Sequence, residues 1–349
     1  MSRAREFADL ASSADAGGLT GRNIVINGAF QVWQRATSNS SVTSNSYPAA
    51  DRWKFWANGS TMGTTRTAFT VGQTDVPNIK YYNSIAIASN SGTGHYHTIN
   101  HHVEDITRFD NVKVTLSFYA KASVAWTVGI EPIQNFGSGG SPSSRVLGTT
   151  QTVSVGTSWA RHEVTISLAS ISGKTLGTTA NTSNFEIAMW LSGGSDFNAR
   201  TGSIGNQSGT IDIAAVQLEV GDKATPFEHR SYQDEYLRST RYFYQWKSNS
   251  GYHKVGFGRA WSTSNCVAGV FRTPVPMRAL PSLTTSGLGD FAVAGVGGTP
   301  TAMGIAESST DFRTFTLSVD QTSAFTAGAI YQTETDNVTG AYLRFDAEL

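Results

Sequence analysis

A single cysteine, Cys266, stands in 349 residues, so no disulfide can form within the chain. Charge is sparse and balanced. The 26 basic and 26 acidic residues cancel, leaving no global field to attract nucleic acid or an anionic membrane, and neither partner is expected. No run of about 18 apolar residues occurs, so no membrane insertion by a helix is expected either. The opening Met1-Ser-Arg-Ala-Arg-Glu lacks the hydrophobic stretch of a secretory signal. Synthesis in a cytoplasm is the expectation, and an extracellular role would follow lysis. Catalytic signatures are missing as well. There is no G-x-S-x-G elbow, and Cys266 sits beside Val267 in an apolar segment with no histidine closer than His253, which suits a core thiol. The acids Glu186, Asp196, Asp212 and Glu219 have no spacing that selects a pair for glycoside hydrolysis, so the chain is not expected to be an enzyme.

What is present is a folded composition: 39% hydrophobic, 15% charged, 11% aromatic, with 35 glycines and abundant Ser and Thr. That mixture describes many short strands joined by small polar turns, in a chain long enough for two cores. Residues 1–22 differ from the rest. Ser2 is placed to cap a short helix carrying Ala4, Phe7, Ala8, Leu10 and Ala11 on one side, and Gly17-Gly18 would stop it. Too short to form a core, this helix is expected to act as an anchor, with Phe7 and Leu10 docking on another protein.

From Asn23 onward the segments at 24–26, 30–33, 52–56, 112–120, 126–130, 160–168, 185–191 and 211–220 read as strands. In 112–120, Val112, Val114, Leu116 and Phe118 alternate with polar residues, as one buried and one wet face require. Spaced this way, the strands predict an antiparallel jelly-roll sandwich over residues 23–230. A boundary is placed near Thr225-Pro226-Phe227, followed by a short helical stretch within 228–246 that feeds a strand. Strand patterns at 252–261, 267–271, 291–296, 312–319 and 341–345 then predict a smaller β-sandwich domain over 231–349. The fold class expected is therefore all-β, two β-domains behind an N-terminal helical anchor.

Binding candidates come from the aromatic and histidine residues. His95 and His97, in the run from Gly94 to His102, would share a strand face, as a metal pair or as a polar strand surface. Trp33, Trp53, Trp126, Trp159 and Trp190 lie in or beside alternating strands and are assigned to the core. Trp56 before Asn58, and Tyr81 and Tyr82 before Asn83, lie nearer turns and are the candidates for a surface platform that stacks on sugar rings, the two asparagines supplying hydrogen bonds.

Two pairs of phrases carry a resemblance: Asn23-Ile-Val-Ile-Asn-Gly-Ala-Phe-Gln-Val-Trp-Gln-Arg35 with Ala50-Asp51-Arg52-Trp53, and Ile211 to Gly221 with Ala224-Thr-Pro-Phe-Glu-His-Arg230. Together they resemble the carbohydrate-binding-module-like jelly-roll domain of tail-fibre and other virion surface proteins of tailed bacteriophages. Glu235 to Tyr244 and the ending Tyr342 to Leu349 are similar to the C-terminal part of the same proteins. The resemblance implies a structural virion protein, a tail or surface fibre, made in the host cytoplasm and displayed on the virion surface. It would form a homotrimer, bind host-cell surface glycans and contact other virion proteins through its N-terminal segment. The alternative is a head or tail decorating subunit that contacts only virion proteins. No catalytic residue is implied. A structural calcium is among the implications, with Asn27, Asp51 and Asp212 as the oxygen donors at hand.

Overall fold

The computed structural model describes residues 21–349; the expected N-terminal helix, with Phe7 and Leu10, lies outside the described residues. The chain divides into two compact units, the first ending at Glu235 and the second running Tyr236–Leu349. Among the described residues the first unit carries β1 (Ser38–Val42), β2 (Trp53–Asn58), β3 (Met62–Ala68), β4 (Tyr81–Ile87), β5 (Tyr96–Glu104), β6 (Lys113–Ala122), β7 (Trp126–Asn135), β8 (Val146–Leu147), β9 (Gln151–Val155), β10 (Ala160–Ser167), β11 (Asn184–Gly193) and β12 (Gly209–Val220). They form two antiparallel sheets in the orders β1-β3-β4-β12-β6-β10 and β2-β5-β11-β7-β8, with β9 also pairing β7. This is the all-β jelly-roll sandwich that the alternating segments predict.

The pleat explains which residues fill it. Phe55, Ile85, Leu116, Phe118, Ile130, Phe185, Ile187 and Met189 project between the sheets into one continuous core. On β12 the parity changes part-way. Ile211 and Ile213 face inward, then Ala215 takes a left-handed backbone (φ 49°) at a break in register with β6, and Val216 and Leu218 face inward instead. Beyond that bulge Val220 is 54% exposed.

The first departure from expectation is 24–33, which contains no strand. The cause is Asn27, fully buried with φ 61°. Its side chain accepts the N–H groups of Gln31 and Val32 (both 2.9 Å) and donates to the carbonyls of Val32 (2.8 Å) and Asp51 (3.0 Å), turning the chain on itself. Gly28 lies on the β12 bulge, its carbonyl accepting from Val216 N–H at 2.9 Å. Asn23 reaches the same strand from both ends of its amide, donating to Val216 O and accepting from Leu218 N–H. Trp53 donates to Asn27 O, Arg230 donates to Val25 O, and Glu235 accepts Asn27 N–H at 2.7 Å. The phrases around 23–35, 50–53, 211–221 and 224–230 therefore meet in one buried knot of the sandwich.

The second unit is smaller and also all-β. It holds β13 (Phe243–Lys247), β14 (Lys254–Arg259), β15 (Asn265–Arg272), β16 (Ser282–Thr285), β17 (Phe291–Val293), β18 (Ala302–Ser308), β19 (Thr314–Asp320), β20 (Ile330–Thr335) and β21 (Tyr342–Asp346). These make three three-stranded sheets around a core that includes Phe291, Phe315, Leu317, Leu343 and Phe345. A helix at Tyr232–Thr240 runs into the stretch that feeds β13, as read from the sequence. Cys266 is buried there, and burial pushes its thiol up, away from reactivity.

Candidate functional site

Strands β2, β5, β11 and β7 lie side by side, and their register aligns residues into rows across the sheet. One row reads Trp56, Thr98, Trp190, Gly129; the next reads Lys54, Asn100, Ala188, Glu131; the third reads His102, Glu186, Ile133. The alternate residues, among them Phe55, Ile99, Ile187 and Met189, belong to the core, so these rows occupy the face turned away from it. An outward face is normally wet and unspecialised. Here Thr98, Asn100, His102, Glu131 and Glu186 are all buried.

Glu186, 2% exposed at its side chain, is the centre. It accepts from Asn100 Nδ2 at 2.9 Å and from Asn135 Nδ2 at 3.3 Å, with His102 Nε2 at 3.9 Å. Burial pushes its carboxyl up to about 7, against the hydrogen bond from Asn135 and the charges of Lys54 and Arg145, while the charge of Glu131 adds to the rise. Burial likewise drives His102 down to about 3, helped by Lys54 and opposed by its bond to Asn184. Both groups are thus pulled toward their neutral forms.

The hydrogen-bond chain assigns the protons. Asn184 Nδ2 donates to Thr182 O at 3.1 Å, which orients that amide and leaves Oδ1 to face Asn135 Nδ2 at 3.1 Å and His102 Nδ1 at 3.2 Å. An oxygen cannot donate there, so His102 Nδ1 carries the hydrogen and Nε2 is an acceptor. His102 Nε2 has no hydrogen-bond partner, and neither do Asn100 Oδ1, Thr98 Oγ1 and Trp56 Nε1, although all four are buried atoms. Unfilled valences of this kind cost about 1–3 kcal/mol each unless something fills them.

The neighbouring end of the face is closed by its own side chains. Arg200 grips Glu131 with two bonds of 2.9 and 2.7 Å, and Trp190 Nε1 donates to the same carboxylate at 2.9 Å. Tyr96 and Phe197 pack on Trp190, and the Arg200 guanidinium lies 5.0 Å from its ring centre. With both its oxygens engaged in this way, Glu131 is occupied as an anchor rather than paired with Glu186 for acid–base work. The other end groups a carboxyl, amides, an imidazole acceptor and an indole donor, the polar atoms of all of them buried.

The five sequence-predicted platform residues do not form one site. Trp56 belongs to the face just described, and Asn58, at the exposed end of β2, spends its amide on Gly94 O at 2.9 Å. Tyr81 and Tyr82 are successive strand residues and so point to opposite faces of β4. Arg66 lies over the Tyr81 ring at 4.8 Å. Tyr82 packs against Phe69 and Trp159, centroids 4.8 and 5.3 Å away, and Lys121 lies over the Trp159 ring. Trp159, expected in the core, is half-buried in this separate cluster. Asn83 is fully buried and accepts from Thr64 Oγ1 at 2.7 Å; as an inward residue of β4 it is not available to a surface ligand.

The proposed calcium donors do not converge. Asn27 is spent on the turn, Asp51 on Gln34 and Arg35, and Asp212 lies 3.6 Å from Lys121 on the outward side of the other sheet. Arg52 donates to His102 O at 2.6 Å. His97 is buried and bonded to Ser60 O at 2.9 Å, and the described residues contain no group of three or more His, Cys, Asp or Glu that would hold a metal ion. Sequence reasoning passed over Asn100, His102 and Glu186 as a set. The run from Gly94 to His102 held the signal, but its informative members are Thr98, Asn100 and His102 rather than His95 and His97.

No protein-family model matches the chain, and no curated protein matches it by sequence. Solved structures do resemble it in shape. A carbohydrate-binding module of family 4 shares 18% identity at a TM-score of 0.32, covering 56% of this chain and 99% of its own. The family 11 carbohydrate-binding module of Clostridium thermocellum, solved with a mixed-linked tetrasaccharide, shares 14% at 0.29, covering 56% and 99%. The enzymatically active domain of tailspike protein 4 of bacteriophage CBA120 shares 12% at 0.30, covering 57% of this chain and 21% of its own.

Proposed function

We propose that this chain is a non-catalytic surface protein of a tailed-phage virion, a tail or surface fibre whose jelly-roll unit binds host-cell glycans through the outward face of β2, β5 and β11. The observation that carries the glycan reading is the set of buried polar atoms without partners, Trp56 Nε1, Thr98 Oγ1, Asn100 Oδ1 and His102 Nε2, gathered on that one face beside a half-buried indole ring. The virion assignment rests on the resembling phrases, whose residues meet in the Asn27 knot. A single stacked ring contributes about 1 kcal/mol beyond its buried area, so one domain binds weakly. Assembly as a homotrimer, part of the same proposal, raises the apparent affinity by about 10² or more through avidity.

The reading is tested with Trp56→Ala, comparing adsorption of intact particles to host cells with the melting temperature of the purified chain. Reduced adsorption with melting held within a few degrees is the expected result. Unchanged adsorption overturns the assignment of this face. The alternative of a decorating subunit that meets only virion proteins is favoured by a different observation, the exposed Phe257, Val270 and Ile330 of the second unit. It predicts normal adsorption by the Trp56→Ala particles.

A further inference from the structure

Three segments from distant parts of the first unit converge beside the β12 bulge. The loop from Phe69 to Lys80 is closed by Phe69 N–H donating to Lys80 O at 3.0 Å. Gln73 shapes it, its side chain donating to Val76 O at 2.6 Å and accepting Val76 N–H at 2.9 Å. So held, Val76 and Ile79 are buried against Ala214 and Ala215 of the bulge. The turn after Gly28 brings Ala29 and Gln31 to the same place, and the stretch after Pro226 brings Phe227, His229 and Arg230. Gln31 Nε2 donates to Arg230 O at 3.2 Å and ties these two segments together. Between the three segments lies a cavity of about 130 Å³. It has room for several waters or one small ring, and is too small for an oligosaccharide.

The lining sorts by chemistry. Ala29, Ile79 and Phe227 are apolar and half-buried or buried, whereas Asn78, Lys80 and His229 are exposed, so the polar side meets solvent. No lining residue is acidic. Arg230 supplies a wall rather than a free charge, its guanidinium being held by Val25 O, Glu228 and Glu235. Glu228 is spent in turn on that guanidinium and on the N–H groups of Gly21 and Asn23. Lys80 differs. Its ammonium lies 5.1 Å from the Tyr81 ring centre, with Arg66 4.8 Å from the same ring, and neither cation makes an ion pair among the described residues. The side chains of Asn78 and His229 likewise make no hydrogen bond among the described residues. We propose that this cavity is a binding site for a monosaccharide-sized ligand bearing one oxyanion, a carboxylate or a phosphate. The Lys80 ammonium attracts the charge, the Asn78 amide and the His229 ring donate hydrogen bonds, and Phe227 and Ile79 meet the carbon skeleton. The site shares no residue with the face of β2, β5 and β11 and stands independently of that reading.

The experiment follows backbone amide NMR shifts of the isotope-labelled full chain during titration with a hexuronic acid, a hexose phosphate and the neutral hexose. One solvent-facing ion contact at about 4 Å gives about a fivefold preference, so at least one acidic probe is expected to saturate about fivefold more tightly than the hexose. The shifts should centre on residues 29–31, 78–80 and 227–230, and the preference should shrink at high salt. Which acidic probe binds more tightly names the oxyanion. Lys80→Gln, at an exposed position, is expected to bring the acidic probes down to the level of the hexose. His229→Trp, which sets a larger ring at the solvent side, should weaken all three probes about tenfold, with melting temperatures of both variants checking the fold. Should His229→Trp misfold, the three probes and Lys80→Gln still decide. Equal binding of the neutral hexose, an acidic preference that survives Lys80→Gln, shifts confined to other segments, or no binding at all overturns the proposal.

Discussion

Glu186 shows how one residue is set by its surroundings rather than by its own chemistry. Its carboxyl titrates near 7 in the fold and near 4.5 when free, so between those values the folded chain holds a proton that the unfolded chain has released. Stability contributed by this group is full below the unfolded value and falls as pH rises through the window from about 4.5 to about 7. A shift of that size corresponds to about 3 kcal/mol. Glu186→Gln is therefore expected to match the parent near pH 4 and to exceed it by up to about 3 kcal/mol near pH 8, read from denaturant unfolding at both values. A variant that is less stable than the parent at both would show that the carboxylate itself holds the rows together. His102 works in the opposite sense. Held near 3 in the fold, it contributes stability that is lost as pH falls below its ordinary value of 6.5.

Among the elements, the β12 bulge and the turn before it depend on each other. Because Ala215 adopts φ 49°, the strand changes parity and presents Val216 O and N–H to the turn residues Asn23 and Gly28. A Cβ at position 28 would come 2.1 Å from Val216 O, a backbone atom in the middle of a sheet that cannot yield. Gly28→Ala is expected to cost about 3 kcal/mol or more by forcing the turn off the bulge. A drop of many degrees in melting temperature checks it; a change under about 1 kcal/mol would mean that the turn has another way to lie. The same coupling accounts for the two phrases, nearly two hundred positions apart, that carry the family resemblance. They record this joint, whereas the binding face has no phrase of its own, since its members come from four strands and each contributes one residue in two.

At the scale of the molecule, each unit has a separate apolar core, and in the second the fully buried rings of Phe315 and Phe345 stack, with the partly buried Phe271 stacked on Phe345. Phe345→Ala is expected to destabilise the second unit by about 3–5 kcal/mol and to leave hydrogen-exchange protection of β6, β11 and β12 unchanged. Loss of protection in those strands would show that the units share one cooperative core. Alternation within 112–120 by itself determined a strand there and its buried residues Val114, Leu116 and Phe118, because a period of two is a local property. Local pattern did not determine the turn at 24–33, whose apolar run reads as a strand until a buried Asn27 binds Val32 and Asp51. Nor did it separate Tyr81 from Tyr82, or place Asn83 inside. The candidate site was decided by tertiary structure alone. Asn100, His102 and Glu186 are ordinary polar strand residues in sequence, and only the pairing of β5 with β11 brings the amide, imidazole and carboxyl together where water is excluded. Register between strands far apart in the chain is a long-range property, so both the hydrogen-bond partners and the burial that moves the proton of Glu186 come into being with the sheet.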